Sequence, residues 1–125
     1  MTDDISADAI ELAHRLFDWA REGSTALLLD QLDAGVPVEL TDAQGNTLLM
    51  LAAYHGHADA VAGLLQRGAD ADRINDRGQT PLAGAVFKQH DDVVRVLLAA
   101  GADLDAGTPS ARATAQMFGR PLPTE

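Results

Sequence analysis

The stretch Gly-Asn-Thr-Leu-Leu at 45–49 returns 33 positions later, at 78–82, as Gly-Gln-Thr-Pro-Leu. The same shift places the Gly-Ala-Asp triplet at 68–70 on an identical triplet at 101–103. Self-similarity at a fixed period of about 20–50 residues is the signature of repeat architectures. The sequence therefore predicts a stack of similar units rather than one irregular core.

Each period carries signals for two helices separated by turns. Thr47 and Thr80 can each accept a hydrogen bond from a free backbone N–H at the start of a helix. Pro81 suits the first helical position, where its missing N–H costs nothing. Gly45 and Gly78 end polar turns and are expected to adopt positive φ at hairpin tips. The apolar residues of the second helices, which predict one buried face, are Val61, Leu64 and Leu65, then Val94, Leu97 and Leu98.

These motifs resemble the ankyrin repeat, in which a turn ending in Gly precedes Thr-Pro-Leu-His, a short helix, a Gly-His turn, a second helix and Gly-Ala-Asp. Thr-Pro-Leu at 80–82, Gly-His at 56–57 and both Gly-Ala-Asp triplets match at the family's offsets. The resemblance extends from about residue 7 to about residue 119. It implies an all-α fold, an ankyrin-repeat solenoid of four layers whose helix-turn-helix units are joined by hairpin turns.

The repeat frame divides the chain, as a single ankyrin-repeat domain, into four units. An N-terminal capping unit covers about 6–41, lacks the hairpin and is expected to begin with one long amphipathic helix capped by Ser6. Two full repeats occupy 42–74 and 75–107, and a truncated C-terminal cap and tail occupy 108–125. About three such units are needed for stability, so four layers suffice.

The last unit departs from the pattern. A shift of one period places Ala111 where the turn glycine belongs and leaves only 114–118 as a short helix. We therefore expect a frayed cap at this end of the stack, followed by a loose tail from Pro121.

Two departures fall inside the full repeats. The His that ends the family motif and usually bonds between repeats is replaced by Met50 and Ala83, so that polar link is expected to be absent. Gly84 stands inside a helix where its counterpart is Leu51, a change that costs up to about 1 kcal/mol in helix propensity. The repeat that contains Gly84 is predicted to be the softer one.

Composition and charge favour a folded, soluble protein and exclude several classes of partner. Hydrophobic residues make up 46% of the chain, and the lack of cysteine excludes disulfides and thiolate chemistry. The net charge of −10 repels nucleic acids and anionic membranes, and no apolar run approaches the ~20 residues of a membrane span. The acidic start at 1–4 lacks the features of a secretory signal. We expect a cytoplasmic monomer that is not an enzyme and needs no cofactor.

The resemblance also implies a binding surface, because ankyrin stacks bind partner proteins on a concave face of hairpin tips and first-helix ends. Tyr54 and Phe87 occupy the same register and, with Arg21, form a predicted stripe of residue types that dominate interfaces. The alternative is that both rings merely cover helix ends. The residues predicted for partner binding are Arg21 and Glu22; Gln44, Asn46, Tyr54 and His55; and Asp76, Arg77, Gln79, Phe87 and Lys88.

Two other functions compete with an adaptor or inhibitor. His55 and His57, with His90 one period later, could form the site of a small metal-dependent enzyme. Against this, His57 and His90 share a family position where the imidazole usually bonds the backbone. The third hypothesis is a structural subunit that associates with itself.

Acidic residues recur on one side of the stack. Adjacent helices lie ~8–10 Å apart, too far for carboxylates of successive repeats to share one Ca²⁺ at ~2.3–2.6 Å. A solvated acidic ridge, which could steer a basic partner protein, is the favoured interpretation. Its residues are Glu39, Asp70, Asp72, Asp103 and Asp105.

Overall fold

A computed structural model describes residues 7–122, which form two rows of helices. The helices are α1 (Ala7–Glu22), α2 (Thr25–Asp33), α3 (Leu48–Tyr54), α4 (Ala58–Gln66), α5 (Pro81–Lys88), α6 (Asp91–Ala99) and α7 (Ala111–Met117). The first helices α1, α3, α5 and α7 pack in one row, and α2, α4 and α6 pack in the other. The predicted all-α solenoid is confirmed. Ser6, the predicted cap of α1, lies outside the described residues.

The helix starts predicted for the two full repeats are confirmed. Thr47 Oγ1 accepts a hydrogen bond from the Met50 N–H at 3.1 Å, and Thr80 Oγ1 accepts one from the Ala83 N–H at the same distance. The turn glycine Gly45 has φ +77°, in the left-handed region that its polar turn predicts. Each long turn is thus fixed at its tip and at the helix it leads into.

The prediction for the last unit is wrong. Helix α7 begins at Ala111 rather than at 114, because the Ser110 hydroxyl oxygen caps it by accepting from the Ala113 N–H at 3.1 Å. Ser110 follows Thr80 by 30 residues instead of 33, since the turn is three residues shorter. Gly107, with φ +88°, begins this turn and pairs with Ser110 as Thr41 pairs with Thr47, so no glycine stands at the predicted position Ala111.

The C-terminal cap is packed rather than frayed. Ala111, Thr114 and Ala115 are buried, and Leu122 packs against the core. Residues 123–125 of the predicted loose tail lie outside the described residues. The Arg120 N–H donates to the Ala115 carbonyl oxygen at 2.9 Å. This bond spans five residues, as does the bond before the second helix of each full repeat.

The first helices pack closely against each other within their row. Leu16, Leu49 and Leu82, one in each of the first three units, are almost fully buried in the same register. A Cβ on Gly84 would lie 3.3 Å from the side chains of both Met50 and Tyr54. The glycine that the sequence predicts to weaken α5 therefore lets α5 lie against α3.

Other polar links replace the missing family His. The Asp70 N–H donates to Glu39 Oε2 at 2.7 Å, and the Asp103 N–H donates to Asp72 Oδ1 at 2.8 Å. Each bond joins the loop of one unit to the carboxylate of the unit before it. The predicted acidic ridge is therefore only partly a solvated surface, because its carboxylates also hold successive units together. Arg73 and Arg112 add ion pairs to Glu39 at 3.2 Å and to Asp105 at 2.8 Å.

Candidate partner-binding groove

The two long hairpins enclose a polar depression of about 360 Å³. One of its lining residues is Asn75, which is only 8% exposed. Its amide nitrogen donates to Asn46 Oδ1 and to Gln79 Oε1, both at 2.8 Å, and its amide oxygen accepts from the N–H groups of Arg77 and Gln79. These bonds fix the hairpins relative to each other. The residues lining the depression are Gln44, Asn46, Met50, Leu51, Tyr54, His55, Asn75, Arg77 and Gln79.

An apolar pocket of about 240 Å³ adjoins the polar depression. The Phe87 and Phe118 rings lie 5.7 Å apart between centroids and are 50% and 48% exposed. Tyr54 and Gln79 border both hollows, which together form the groove. The remaining pocket residues are Ala83, Gly84, Pro109, Thr114 and Met117. Small-molecule sites usually span about 300–1,000 Å³, so the pocket suits one side chain of a protein partner better than a small ligand.

The structure brings most of the predicted binding residues together. Those that line the groove are Gln44, Asn46, Tyr54, His55, Arg77, Gln79 and Phe87. Lys88 borders it, with Nζ 5.2 Å from the Tyr54 ring centroid. Arg21 lies in a neighbouring hollow beside α1 and pairs with Asp18 at 3.0 Å. Glu22 and Asp76 line neither hollow of the groove.

Sequence reasoning missed Asn75, Met117 and Phe118. The role of Asn75 could not be identified from the sequence because it depends on bonds to two hairpins. The available signal was that an Asn at the start of a turn commonly bonds the backbone of the residue two positions later. Met117 and Phe118 were hidden by the shorter last turn, which moves the register by three residues. The signal that could have placed them is Ser110, a good helix cap directly after Pro109.

The environment of His55 is electropositive. Partial burial lowers the pKa of the His55 imidazole, and the nearby charges of His57, Arg21, Lys88 and His90 lower it further. The ring is therefore mainly neutral at pH 7, since even its ordinary pKa is about 6.5. It stands edge-on to the Tyr54 ring, 5.5 Å away between centroids.

The histidines of the metal hypothesis have structural contacts. His57 Nε2 lies 2.7 Å from the Arg21 carbonyl oxygen and must donate, because a carbonyl only accepts. The His90 ring lies against Gly56, where a Cβ would come within 2.8 Å of it. Within residues 7–122, no group of three His, Cys, Asp or Glu side chains is arranged to hold a metal ion. Nor is any helix of that range long and apolar enough to cross a bilayer.

About half of the chain is similar in sequence to known proteins. The chain is 45% identical over 58 residues to the ankyrin repeat protein PA3287 of Pseudomonas aeruginosa, a match that covers 46% of this chain and 34% of that protein. It is 50% identical over 60 residues to human ankyrin repeat domain-containing protein 29, and 47% identical over 60 residues to the Danio rerio protein of that name. Each of the latter matches covers 47% of this chain and 20% of the relative, so the matched region is about a third of the first relative's length and a fifth of the length of the other two.

The family description "Ankyrin repeats (3 copies)" matches residues 16–108, which include both full repeats and the groove hairpins. Ankyrin repeats are a general protein–protein interaction module and are generally not catalytic. The match, together with the two rows of helices and the turns between them, shows that the chain belongs to the ankyrin-repeat family.

Proposed function

We propose that this protein binds a partner protein through the groove and acts as an adaptor or as an inhibitor that covers a functional surface of its partner. The observation that carries the proposal is the apolar pocket beside a fixed polar floor. The chain has one Tyr, one Trp and three Phe. Tyr54, Phe87 and Phe118, three of these five aromatic residues, line the one pocket. Exposed apolar residues clustered in this way mark interaction sites.

The polar floor supports binding by being ordered before a partner arrives. Asn75 is buried and bonded on both sides, so Asn46 and Gln79 are held in place. Ordering interface side chains on binding costs about 0.5–1.5 kcal/mol for each flexible one. A preformed floor avoids much of that cost. A standard interface of about 800 Å² per partner would extend over the groove and the hairpin tips.

Comparative affinity capture tests the proposal. The tagged protein, its Phe87→Ala variant and a Leu27→Ala control are used to capture proteins from the cell of origin, with quantitative mass spectrometry of each eluate. Leu27 is a matched control because it is an apolar side chain on α2, 53% exposed and outside the groove. We expect proteins enriched by the unaltered chain to be retained by Leu27→Ala and lost with Phe87→Ala.

Melting temperatures decide whether a loss reflects the groove or the fold. Because Phe87 is half-exposed, Phe87→Ala should leave the melting temperature within a few degrees of the unaltered chain. Partners that stay bound to folded Phe87→Ala, or that disappear with Leu27→Ala, would contradict groove binding.

A further inference from the structure

Basic side chains surround the groove, although the chain as a whole has a net charge of −10. Arg77 is exposed in the polar depression, and Lys88 Nζ stands over the Tyr54 ring. Beyond the pocket, the Arg120 guanidinium stands 4.7 Å from the Phe118 ring centroid. Within residues 7–122, no carboxylate forms an ion pair with Arg77 or Lys88. The rim of the groove thus offers positive charge that the fold leaves available.

The nearby carboxylates do not cancel this charge. The Asp42 side chain is 12% exposed, accepts hydrogen bonds from the N–H groups of Gln44 and Asn46, and lies 4.0 Å from Arg21. Asp76 is exposed at the hairpin tip, but its carboxylate lies against Gly45 and outside the lining of the groove.

The carboxylates that link the units or pair with arginines lie outside the lining of the groove. Asp72 and Glu39 are bonded to backbone N–H groups of the next unit, and Asp33 and Asp105 pair with Arg67 and Arg112, each at 2.8 Å. Charges are screened over about 8 Å at physiological ionic strength. A ligand in the groove therefore responds to Arg77 and Lys88 more than to the total charge of the chain.

We propose that the groove binds an acidic segment of a partner protein, in which a carboxylate residue lies next to a large apolar residue. The apolar side chain enters the pocket between Phe87 and Phe118, and the carboxylate contacts Arg77 or Lys88 across Tyr54. The inference rests on the proposed function and names the chemistry of the partner. It departs from the basic partner expected from the acidic ridge, because the ridge residues do not line the groove and ridge carboxylates link the units.

Selection of short random peptides tests the chemistry without a known partner. A surface-displayed library is selected on the immobilised protein, and peptides that also bind the Phe87→Ala variant are removed. We expect the enriched peptides to carry Asp or Glu within a few positions of Leu, Ile, Met, Phe or Trp. Enrichment of Lys- and Arg-rich peptides overturns the inference, as does the absence of peptides that depend on Phe87.

A charge exchange tests which side chains read the carboxylate. The best selected peptide is titrated against the unaltered chain, the double variant Arg77→Glu/Lys88→Glu, and Arg95→Glu as a control with an exposed side chain on α6. Close charge pairs at interfaces commonly contribute tenfold or more in affinity, so we expect the double variant to bind at least about tenfold more weakly. Arg95→Glu should stay within about twofold, since Arg95 lines neither hollow.

The reciprocal change completes the test. A peptide with Lys in place of its acidic residue should bind the double variant better than it binds the unaltered chain. If Arg95→Glu lost as much affinity per unit of charge changed as the double variant does, only overall charge would matter, and the inference would be overturned. Circular dichroism confirms that all three proteins are folded.

The outcomes separate this inference from the proposed function. If partners captured from cells depend on Phe87 while the selected peptides are basic, groove binding stands and the acidic segment is wrong. If neither capture nor selection depends on Phe87, both fail. Light scattering identifies one further occupant: self-association that Phe87→Ala abolishes would make a second copy the ligand of the groove and overturn the inference.

Discussion

The junction between the two full repeats differs from the junction between the second of them and the last unit. In the first, two long hairpins lie side by side, joined by the bond from the Asn75 amide to Asn46. In the second, a turn three residues shorter meets the long hairpin through the bond from the Thr108 N–H to the Gly78 carbonyl oxygen at 2.9 Å. The long pair forms a polar floor, whereas the short turn leaves aromatic rings open to solvent.

The difference shows how a shortened repeat can create an apolar pocket. The short turn contributes Pro109 to the wall of the apolar pocket and brings in α7 with Phe118. Tyr54, in the same register as Phe87 but at the first junction, is half-buried, whereas Phe87 is half-exposed.

The same contrast appears at the turn between the two helices of a unit. Gly56 has φ +84° and lies against the His90 ring of the next unit. Its counterpart in the next repeat, Gln89, adopts φ +64° without being glycine. There the next unit presents Arg120, and a hollow of about 220 Å³ remains. Close approach of an imidazole thus demands glycine at the first junction, as it also does where Gly23 meets the His57 ring, but not at the second junction.

The largest expected effect is that of Gly56→Ala. A side chain in left-handed geometry costs about 1–2 kcal/mol, and contact with His90 adds overpacking of about 1 kcal/mol or more. We expect a loss of about 2–3 kcal/mol in the free energy of unfolding, measured by urea denaturation. Gly68→Ala is the control, because Gly68 has φ +93° but no atom within 4 Å of a Cβ. Equal losses in the two variants would show that packing of His90 is not what selects glycine.

The next effect is that of Asp72→Ala, at the first junction. It removes the acceptor of the Asp103 N–H, and a hydrogen bond of this kind contributes about 1 kcal/mol. Asp72→Asn keeps an oxygen acceptor and should lose less. If Asn and Ala are equally destabilising in urea denaturation, the carboxylate acts through its charge and not as a link between units.

A smaller effect of opposite sign is expected for Gln89→Gly. A side chain in left-handed geometry costs about 1 kcal/mol, and glycine removes that cost. The greater freedom of glycine in the unfolded chain offsets part of the gain. The unfolding midpoint should rise slightly or stay unchanged. A clear decrease would mean that the Gln89 side chain makes a contact at the second junction that outweighs its backbone geometry.

The smallest expected effect is on the stability of the fold at low pH. The hydrogen bond from Arg67 lowers the pKa of Asp33, and the hydrogen bond from Arg112 lowers that of Asp105. A depressed pKa in the folded state stabilises above the unfolded pKa of about 3.9, and this contribution disappears as the pH falls through the folded pKa. Both side chains are exposed, so the contribution is small. Asp33→Asn and Asp105→Asn should each slightly reduce the loss of stability between pH 5 and pH 2, measured by urea titration. The same loss in a variant as in the unaltered chain would contradict the role of that ion pair.

The period of the sequence predicts the long hairpins, because Thr47, Thr80 and Gly45 have local roles that need no neighbour. It also predicts that Tyr54 and Phe87 lie on one face. It does not predict the last turn, because a fixed period cannot register the loss of three residues, and the error hides Phe118. Bonds such as that of Asp72 to the next unit depend on how loops meet in space, which no single stretch of sequence specifies.

Site-specific photo-crosslinking shows directly whether a partner protein occupies the groove. A photoreactive phenylalanine analogue replaces Phe87 in one protein and Leu27 in another, both half-exposed side chains, and each is irradiated in the cell of origin. If a partner protein binds in the groove, position 87 gives discrete adducts of higher mass and position 27 gives none of them. The same adducts from position 27, with none from position 87, would contradict binding in the groove.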